Sequence, residues 1–408
     1  MKKKIHILTA AVFAAAAVIP MWSGSKAFAE EFKLDKYTLN YTVQNGSAVI
    51  TDCSGTGTDI SIPAKINGLS VISIGNYAFS ELIDLERVTI PDGVVSVSDS
   101  AFWNCSNLKN VTLGKGVAEI GTYAFSACPK LNSFTVKDGN NSYKAVSGML
   151  YSKDGKSLIS YAGGSKANIP NGTVSIGRTA FFGNTALESV SIPNGVTEIG
   201  DYAFSGCLAL KKVTVPSTVK KIGLGSFMNC TELSQAVLSE NISEIPDECF
   251  SVCTELSSVN ISKNVKKIGV RGFFGCGKLS GIYIPKTVTQ VGAEAIGIRY
   301  NIRHDKNEPY SDFYISGDKG SAMEKYARSA GVDFIDFNNI LYGDVDRNGS
   351  VDALDASLVL TEYASVAVGN GSSFNKYKSA AGDFNKDGSI DALDASGILS
   401  QYAANAVR

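Results

Sequence analysis

The feature that most constrains the fold of this chain is a phrase of the form Ile-Gly-x-x-Ala-Phe that returns every 23 residues. Its phenylalanines keep this spacing with one interruption: Phe79, Phe102, Phe125, Phe181, Phe204, Phe227, Phe250 and Phe273. Ile296 takes the next position in the series. Self-similarity at a period of roughly 20–50 residues is typical of solenoids, in which each unit stacks on its neighbours.

Each unit also carries a strand pattern of the form Leu-x-x-Val-x-Ile, as in Leu85, Val88 and Ile90. A proline or glycine such as Pro91 ends that strand, and a second extended piece follows it. A single unit cannot bury its phenylalanine and aliphatic side chains, whereas stacked units share one continuous core. The pattern predicts a β-rich leucine-rich-repeat solenoid within residues 30–337.

These units resemble the BspA-like leucine-rich repeats of bacterial surface and secreted proteins. The resemblance includes the closing phrase Gly320-Ser321-Ala322 with Tyr326-Ala327, which is common at the end of such arrays. It implies the solenoid fold strongly and the function weakly, because one fold serves many functions.

The interruption between Phe125 and Phe181 equals one repeat plus an insertion, which we place at about residues 137–169. Asp154-Gly155 lies there between two apolar runs, a combination that favours a β-hairpin. Two interpretations stay open: a projecting binding element, or a longer variant of the repeat.

Cysteines recur three residues after the repeat phenylalanine, so their spacing follows from the repeat itself. We predict a ladder of small, buried, free thiols, although export would make disulfides chemically possible. The residues of this ladder are Cys105, Cys128, Cys207, Cys230, Cys253 and Cys276.

One position in each strand should face outward on the concave sheet, and it is mostly small and polar. The row consists of Thr89, Thr112, Ser191, Thr214, Val237, Asn260 and Tyr283. It offers no stacked aromatic platform for a polysaccharide. Tyr77, Tyr123 and Tyr202 form a second periodic row, for which packing between repeats is the simpler interpretation than an aromatic binding stripe.

The last part of the chain holds a twelve-residue pattern twice, beginning at Asp344 and again at Asp383. Oxygen-bearing side chains at positions 1, 3, 5, 9 and 12, with glycine at 6, follow the spacing of an EF-hand calcium loop, in which position 7 supplies a carbonyl oxygen. The pattern predicts two Ca²⁺ ions. The predicted ligands are Asp344, Asp346, Asn348, Ser350, Asp352 and Asp355 in the first loop, and Asp383, Asn385, Asp387, Ser389, Asp391 and Asp394 in the second.

Each loop runs into a helix but has no clear amphipathic helix before it, and its position 12 is aspartate rather than glutamate. In these respects residues 341–408 resemble a type I dockerin. The resemblance implies a small all-α domain at residues 338–408 that binds calcium and docks onto a cohesin module of a scaffoldin, as in cellulosomes of fibre-degrading bacteria.

In that family, loop positions 10 and 11 and nearby helix positions touch the cohesin. The resemblance places these contacts at Ala353, Leu354, Thr361 and Ser365, or at Ala392, Leu393, Ser400 and Ala404. Many dockerins have Ser-Thr at positions 10 and 11, so the class of cohesin stays open. For Leu354 and Leu393 simple helix packing is the alternative. Because the two copies match closely, either could face the cohesin.

The N-terminus has a basic start, an apolar run and the phrase Ala27-Phe28-Ala29. This arrangement is typical of a secretory signal peptide, so we predict residues 1–29 to be cleaved after Ala29. No later apolar run is long enough for a membrane span. We therefore expect a secreted protein, held at a cell surface or in a cellulosome through its cohesin.

Composition excludes several classes of function. A formal net charge of −1 argues against nucleic acid as a partner. The mature chain keeps one histidine, His304, which disfavours a histidine-rich zinc site and a Ser-His-Asp triad. No catalytic module is recognisable between the repeats.

The hypothesis is a non-catalytic cellulosome-type component whose repeat array binds an unidentified protein or surface in polysaccharide degradation. Alternatives are an adhesin for host or bacterial surfaces, and an accessory to, or an unrecognised form of, a glycoside hydrolase. No Pro/Ser/Gly-rich linker separates the two modules around Phe334–Gly343, so we predict that they pack together.

Overall fold

The structure is a computed structural model that describes residues 29–311, 313–336, 340–346, 348–370, 372–374, 376–385 and 389–406. Apart from Ala29, the predicted signal peptide lies outside these residues. Within them the chain forms thirty strands and four helices.

The first fifteen strands are β1 (Glu30–Leu34), β2 (Tyr37–Gln44), β3 (Ser47–Gly55), β4 (Asp59–Ser61), β5 (Lys65–Ile66), β6 (Leu69–Ile74), β7 (Arg87–Thr89), β8 (Ser96–Val97), β9 (Asn110–Leu113), β10 (Glu119–Ile120), β11 (Ser133–Val136), β12 (Tyr143–Val146), β13 (Met149–Ser152), β14 (Ser157–Ser160) and β15 (Lys166–Asn168). The next fifteen are β16 (Ser175–Ile176), β17 (Ser189–Ser191), β18 (Glu198–Ile199), β19 (Lys212–Thr214), β20 (Lys221–Ile222), β21 (Gln235–Val237), β22 (Glu244–Ile245), β23 (Ser258–Val259), β24 (Lys267–Ile268), β25 (Gly281–Tyr283), β26 (Gln290–Val291), β27 (Ile298–Asn301), β28 (Lys306–Pro309), β29 (Tyr314–Ser316) and β30 (Asp333–Ile335). The helices are α1 (Ala322–Ala330), α2 (Ala353–Ala367), α3 (Lys376–Gly382) and α4 (Ala392–Ala406).

Two series of parallel strands run along the solenoid, one from each extended piece of the repeat. The first series gives the sheets β4-β7-β9-β11, β15-β17-β19-β21-β23 and β25-β29-β30. The second gives the ladders β6-β8-β10, β14-β16-β18-β20 and β22-β24-β26. Equivalent residues of successive repeats pair directly, as Val88 pairs with Val111 and Ile176 with Ile199. The predicted β-rich solenoid is confirmed.

The third side of each repeat is a tight turn around the repeat phenylalanine. There the backbone N–H of Phe102 donates to the carbonyl of Ala124 at 2.8 Å, and the same bond links most successive turns. The residues two before and two after the phenylalanine have positive φ, which glycine and asparagine tolerate best. At the position two residues after the phenylalanine, most turns have glycine or asparagine. One turn instead has the β-branched Val252 there, at φ 61°.

The repeat phenylalanines form a stack through the core. The rings of Phe204, Phe227 and Phe250 follow one another at centroid distances of 5.3 Å, almost parallel, and all three are fully buried. Stacks of this kind add to the free energy of burial and require a neighbour on both sides.

The cysteine ladder is confirmed as a set of buried free thiols. Each thiol of the predicted series donates to the carbonyl oxygen of the phenylalanine one repeat earlier, as Cys253 does to Phe227 at 3.1 Å. Burial raises the pKa of Cys276 to about 12, so this thiol stays protonated and unreactive.

The insertion does not project from the solenoid, so the interpretation as a projecting element is wrong. Its middle strand β13 is buried on both faces and divides the core into two clusters. Met149 and Tyr151 pack into the C-terminal cluster, whereas Leu150 packs into the N-terminal one. Tyr161 occupies the position of a repeat phenylalanine, because its ring stacks on Phe181 at 4.6 Å.

Both ends of the solenoid depart from the repeat. The antiparallel strands β1, β2 and β3 cover the N-terminal end. At the other end the Ser321 side chain accepts a hydrogen bond from the Glu324 N–H and begins α1. Tyr326 of this helix bonds the backbone of Ile296 through both its donor and its acceptor function. Helices α2 and α4 then pack against each other through Val359 and Ile398 in a separate small core.

Candidate metal centre and docking surface

Three carboxylates of the first predicted calcium loop converge. Oxygen atoms of Asp344, Asp346 and Asp355 lie within 4.8 Å of one another. Asp344 and Asp355 are buried, and Asp346 is half-buried. Like charges held this close in a buried site repel one another, so a bound cation is needed to stabilise the ionised cluster.

Asp355, at position 12, ties the start of the loop to the start of α2. Its Oδ1 accepts hydrogen bonds from the N–H groups of Val345 at 2.7 Å and Asp346 at 3.0 Å, and its Oδ2 accepts from Asp352 N–H at 2.9 Å. The Asp352 side chain accepts from Leu354 N–H at 2.8 Å, and its bond from the N–H of Asp355 completes a capping box. The Asp355 carboxylate therefore belongs to the carboxylate cluster and also closes the loop.

The remaining predicted ligands of the first loop form a chain of turns around this cluster. Asp346 accepts from Asn348 N–H at 3.0 Å, and Asn348 Oδ1 accepts from Ser350 N–H at 2.8 Å. Asp344 Oδ2 accepts from Gly349 N–H at 3.1 Å. Asn348 and Ser350 are exposed, whereas Asp352 is half-buried and serves as the N-cap of α2.

The second loop repeats this arrangement in its described part. Asp394 is fully buried; its Oδ1 accepts from Asn385 N–H at 3.1 Å and its Oδ2 from Asp391 N–H at 3.0 Å. Asp383 is half-buried at the end of α3, and Ser389 is exposed. The predicted ligand Asp387 lies outside the described residues.

The donor set fits Ca²⁺. Every predicted ligand offers oxygen, which hard cations of this size prefer, and nitrogen or sulfur ligands that favour zinc are missing from both twelve-residue patterns. The buried carboxylates keep unused lone pairs on Asp355 Oδ2 and on both oxygens of Asp394, because each of these oxygens receives one hydrogen bond from the described residues.

The predicted cohesin contacts lie on two surfaces related by the 39-residue duplication. Leu354 and Leu393 are 56% and 67% exposed, so packing within the domain does not account for them. Ser365 is half-buried and accepts from Asn370 at 3.3 Å. The other predicted contacts are exposed: Ala353, Thr361, Ala392, Ser400 and Ala404.

The hydroxyl groups on these two surfaces are oriented alike. Thr361 donates to the Ser357 carbonyl at 2.8 Å, and Ser400 donates to the Ser396 carbonyl at 2.8 Å. Such bonds back to the helix leave the hydroxyl oxygen able to accept a hydrogen bond from a partner.

Sequence reasoning missed a second duplicated set of exposed apolar residues on these helices. Leu360 corresponds to Leu399, and Tyr363 to Tyr402, each pair separated by 39 residues. All four are more than two-fifths exposed. The duplication itself was the signal that could have identified them.

Glu362 was also missed, because its counterpart in the second half is the exposed Gln401. Glu362 is buried and accepts hydrogen bonds from the Ser372 hydroxyl at 2.5 Å and the Ser373 N–H at 2.8 Å. Burial alone raises the pKa of Glu362, but the bonds from Ser372, Ser373 and Phe374 outweigh it, so the pKa lies below its ordinary value. The carboxylate holds the segment before α3 against α2.

Phe384, at position 2 of the second loop, joins the two halves of the domain. A Cβ added at Gly397 would lie 2.6 Å from the Phe384 ring, and one added at Gly343 would lie 3.1 Å from it. In the first half, Val345 corresponds to Phe384 and Leu358 corresponds to Gly397. The larger residue of the pair is therefore on the loop in the second half and on the helix in the first half. Val345, Leu358 and Phe384 belong to the same apolar cluster.

The solenoid offers a different kind of surface. Its outward row is exposed or half-buried and mostly polar as predicted, and it ends at Tyr283, which is 57% exposed. Tyr123 and Tyr202 are half-buried between turns, Tyr123 against Phe182 at 4.8 Å and Tyr202 over Gly225. Packing therefore accounts for Tyr123 and Tyr202, whereas Tyr77, the first tyrosine of the predicted row, is 59% exposed.

Near the end of the array, the β27–β28 hairpin carries a charged cluster. Glu308 accepts hydrogen bonds from Asn301 and from Arg299 at 3.1 Å, and it lies 3.0 Å from His304. These contacts, His304 first among them, lower the pKa of Glu308 to about 2. Because Glu308 is paired with these three neighbours, we assign no ligand-binding site to this cluster.

No helix in the part of the chain that the structure describes combines the length and the apolar character needed to cross a membrane.

Comparison with known proteins identifies both modules. Six copies of the BspA type leucine rich repeat region match residues 52–151 and 165–302, more than half of the chain. The dockerin type I domain matches residues 342–402. Both are non-catalytic modules, and type I dockerins bind calcium and imply cohesin binding in a cellulosome-type assembly. No curated protein matches the chain.

Several solved structures are similar to the chain at low identity. A leucine-rich repeat protein from Eubacterium ventriosum is 21% identical, with 64% of this chain and 92% of that one covered and a TM-score of 0.44. A leucine rich cell surface protein from Faecalibacterium prausnitzii is 22% identical, with coverage of 68% and 96% and a TM-score of 0.33. Because these identities and TM-scores are low, the family assignment rests on the family models alone. By those models the chain belongs to the BspA type leucine rich repeat family and carries a C-terminal type I dockerin domain.

Proposed function

We propose that the protein is a secreted, non-catalytic component of a cellulosome-type complex. Its dockerin binds a cohesin module of a scaffoldin in a calcium-dependent manner, while its repeat array binds a protein or surface ligand during polysaccharide degradation. The observation that carries the proposal is the convergence of Asp344, Asp346 and Asp355 beside the exposed surface of α2.

Two Ca²⁺ ions are proposed, one in each loop. The residues that would hold them are Asp344, Asp346, Asn348, Ser350, Asp352 and Asp355, and their counterparts Asp383, Asn385, Asp387, Ser389, Asp391 and Asp394. Bound calcium would neutralise the clustered carboxylates and convert binding free energy into folding free energy. Asp355 and Asp394 support this role, because each already bonds the start of its loop to the start of the following helix.

Cohesin recognition is proposed for the two exposed surfaces on α2 and α4. Leu354 and Leu393 would supply apolar contacts, while Thr361 and Ser400 would accept hydrogen bonds. Apolar anchors in the centre of an interface generally contribute most of the binding free energy. The equivalence of the two surfaces supports docking by either copy.

Export is proposed through residues 1–29 as a signal peptide, with the cohesin providing attachment outside the cell. For the array, the polar outward row with Val237 and Tyr283 near its end supports recognition of a protein rather than of a polysaccharide. The same surface could serve as an adhesin while the dockerin binds a cohesin. Adhesion by the array would not require the cohesin.

Titration of residues 30–408 against a panel of cohesins, first in Ca²⁺ and then in EDTA, tests the docking role. We expect tight binding to at least one cohesin, and its loss in EDTA. The double variant Asp344→Ala with Asp383→Ala should bind no cohesin. A matched control, Asp84→Ala with Asp138→Ala, removes two exposed solenoid carboxylates and should bind normally.

Full affinity in EDTA, or in the Asp344→Ala, Asp383→Ala variant, contradicts the calcium role. Failure to bind any cohesin, with calcium bound, favours the adhesin hypothesis. Adhesion of residues 30–337 alone to bacterial or host surfaces then tests that hypothesis.

A further inference from the structure

A fourth apolar cluster joins the solenoid to the dockerin. It consists of Tyr314 and Ile335 from the last solenoid strands and Tyr377 and Ala381 from α3, with Ile340 packed against them. The first four residues are between 0% and 8% exposed. The prediction that the two modules pack together is therefore confirmed, and α3 is the element that makes the contact.

The solenoid side of this contact is the end of a sheet. Strand β30 pairs with β29 in parallel and is the edge strand of the sheet β25-β29-β30. Tyr314 of β29 lies over Gly281 of the preceding strand, so its ring is held between the array and α3. Edge strands with apolar side chains require a cover to remain soluble and paired.

The dockerin side of the contact connects to both metal loops. The carbonyl of Ala381 accepts a hydrogen bond of 2.8 Å from Gly343 N–H, and Gly343 directly precedes Asp344 of the first loop. Helix α3 ends at Gly382, immediately before Asp383 of the second loop. Asp383 N–H bonds the Ser379 carbonyl at 3.0 Å. The last turn of α3 is thus fixed by the entries of both loops.

We propose that α3 is an internal docking helix that seats the dockerin on the open end of the solenoid, so that calcium loading of the two loops stabilises the last solenoid strands. This inference rests on the proposed calcium binding. A ligand that binds only the folded dockerin lowers the population of states in which α3 is detached, and strands β29 and β30 share that gain.

The geometry also separates two binding tasks within one small domain. Helix α3 contacts the solenoid, whereas the predicted cohesin contacts lie on α2 and α4 and remain exposed. Cohesin and solenoid therefore occupy the dockerin at the same time. The array is held in a fixed orientation on its scaffoldin rather than on a flexible tether.

Hydrogen–deuterium exchange of the chain comprising residues 30–408 tests this proposal. We expect the amides of β29 and β30 to exchange at least about tenfold more slowly in saturating Ca²⁺ than in EDTA, as linkage requires. Tyr377→Ala should abolish this slowing. Tyr402→Ala is the matched control, since it removes a tyrosine of the same domain that is exposed and lies outside the cluster.

Amides of α2 report calcium-induced folding of the dockerin separately. If α2 becomes protected in Ca²⁺ while β29 and β30 exchange at one rate in both conditions, the coupling is disproved. If Ca²⁺ leaves α2 unprotected, the proposed calcium role fails instead. In that case the two variants alone decide whether α3 docks the dockerin on the solenoid. Equal amide exchange rates of β30 in Tyr377→Ala and Tyr402→Ala overturn the inference. Faster exchange of β30 in Tyr377→Ala alone supports it.

Discussion

The solenoid and the dockerin reach a stable core by different routes. The solenoid buries one phenylalanine and one small residue per turn against the same residues of the next turn, as Phe227 stacks between Phe204 and Phe250. Among its described residues, the dockerin has five fully buried apolar side chains in its own core, and beside them the carboxylates of Asp344, Asp355 and Asp394. Repetition stabilises the first module, whereas the proposed calcium ions would stabilise the second.

The largest expected difference between the modules is their response to calcium removal. In EDTA the dockerin helices α2 and α4 should unfold, because a domain of about 65 residues with buried carboxylates lacks a sufficient apolar core. The solenoid strands distant from the dockerin, such as β18 and β20, should remain. Circular dichroism measures the loss of helix, and hydrogen–deuterium exchange of the amides in β18 and β20 measures whether the solenoid stays folded. Retention of α2 and α4 in EDTA, or loss of the solenoid signal with them, contradicts the comparison.

The reverse experiment disrupts the solenoid alone. Phe227→Ala removes one ring from the middle of the stack and should lower the free energy of unfolding of the solenoid by about 3–5 kcal/mol. Urea denaturation measures the loss, and Tyr77→Ala, at a residue that is 59% exposed, is the control. Calcium binding by the dockerin should be unchanged. Equal losses in the two variants would mean that the stack is not the source of stability.

A substitution between the halves of the dockerin tests its packing. Gly397→Leu introduces the side chain that its counterpart Leu358 has in the first half, but the new side chain collides with Phe384. We expect this collision to lower the free energy of unfolding of the dockerin in Ca²⁺ by about 1–3 kcal/mol. Adding Phe384→Val, the residue found at Val345, should recover most of that loss. Thermal unfolding of the single and double variants provides the comparison. A double variant no better than Gly397→Leu would show that the exchange of sizes does not matter.

The Glu362 carboxylate predicts an acid sensitivity confined to the dockerin. Because its pKa in the folded protein lies below the ordinary value of 4.5, its stabilisation is complete above that pH and disappears as the pH falls through the folded pKa. Glu362→Gln should cost about 1–2 kcal/mol at neutral pH and flatten this dependence. Gln401→Glu, which adds an exposed carboxylate, is the control. Unfolding of α2 is followed from pH 7 to pH 3, and parallel curves for Glu362→Gln and the unsubstituted chain would argue against the clamp.

The smallest expected effect is a gain in the solenoid. Val252 has φ 61°, a conformation that costs a β-branched residue about 1–2 kcal/mol, and the equivalent turns hold asparagine at Asn104 and Asn229. Val252→Asn should therefore stabilise the solenoid by about 1 kcal/mol. Chemical denaturation with Val237→Asn as a control measures it, since Val237 lies on a strand without positive φ. A loss of stability would show that packing of Val252 outweighs its strain.

Much of the solenoid could be predicted from spacing, because a residue that recurs every 23 positions meets its own equivalents. The phenylalanine stack, the thiol ladder and the parallel register all follow from that rule. The role of Tyr161 could not be predicted, since it reaches the stack from an insertion that breaks the period. Nor could the cluster that includes both Tyr377 and Ile335, because these residues belong to no repeat.

The two twelve-residue patterns could be recognised for the same reason as the repeats, because each pattern is local and occurs twice. The asymmetric features of the dockerin could not. Glu362 differs from its counterpart Gln401, and its burial depends on how the chain returns through Ser372 and Ser373. Such contacts follow from the tertiary path of the chain rather than from residue spacing.

The buried strand β13 has a consequence for how the array comes apart. Met149 and Tyr151 face the C-terminal core cluster and Leu150 faces the N-terminal one, so the core changes from one cluster to the other at this strand. In a linear array, unfolding propagates between neighbours until it meets a weak junction. We therefore expect two cooperative units, with tension applied along the axis releasing them as separate steps of unequal length.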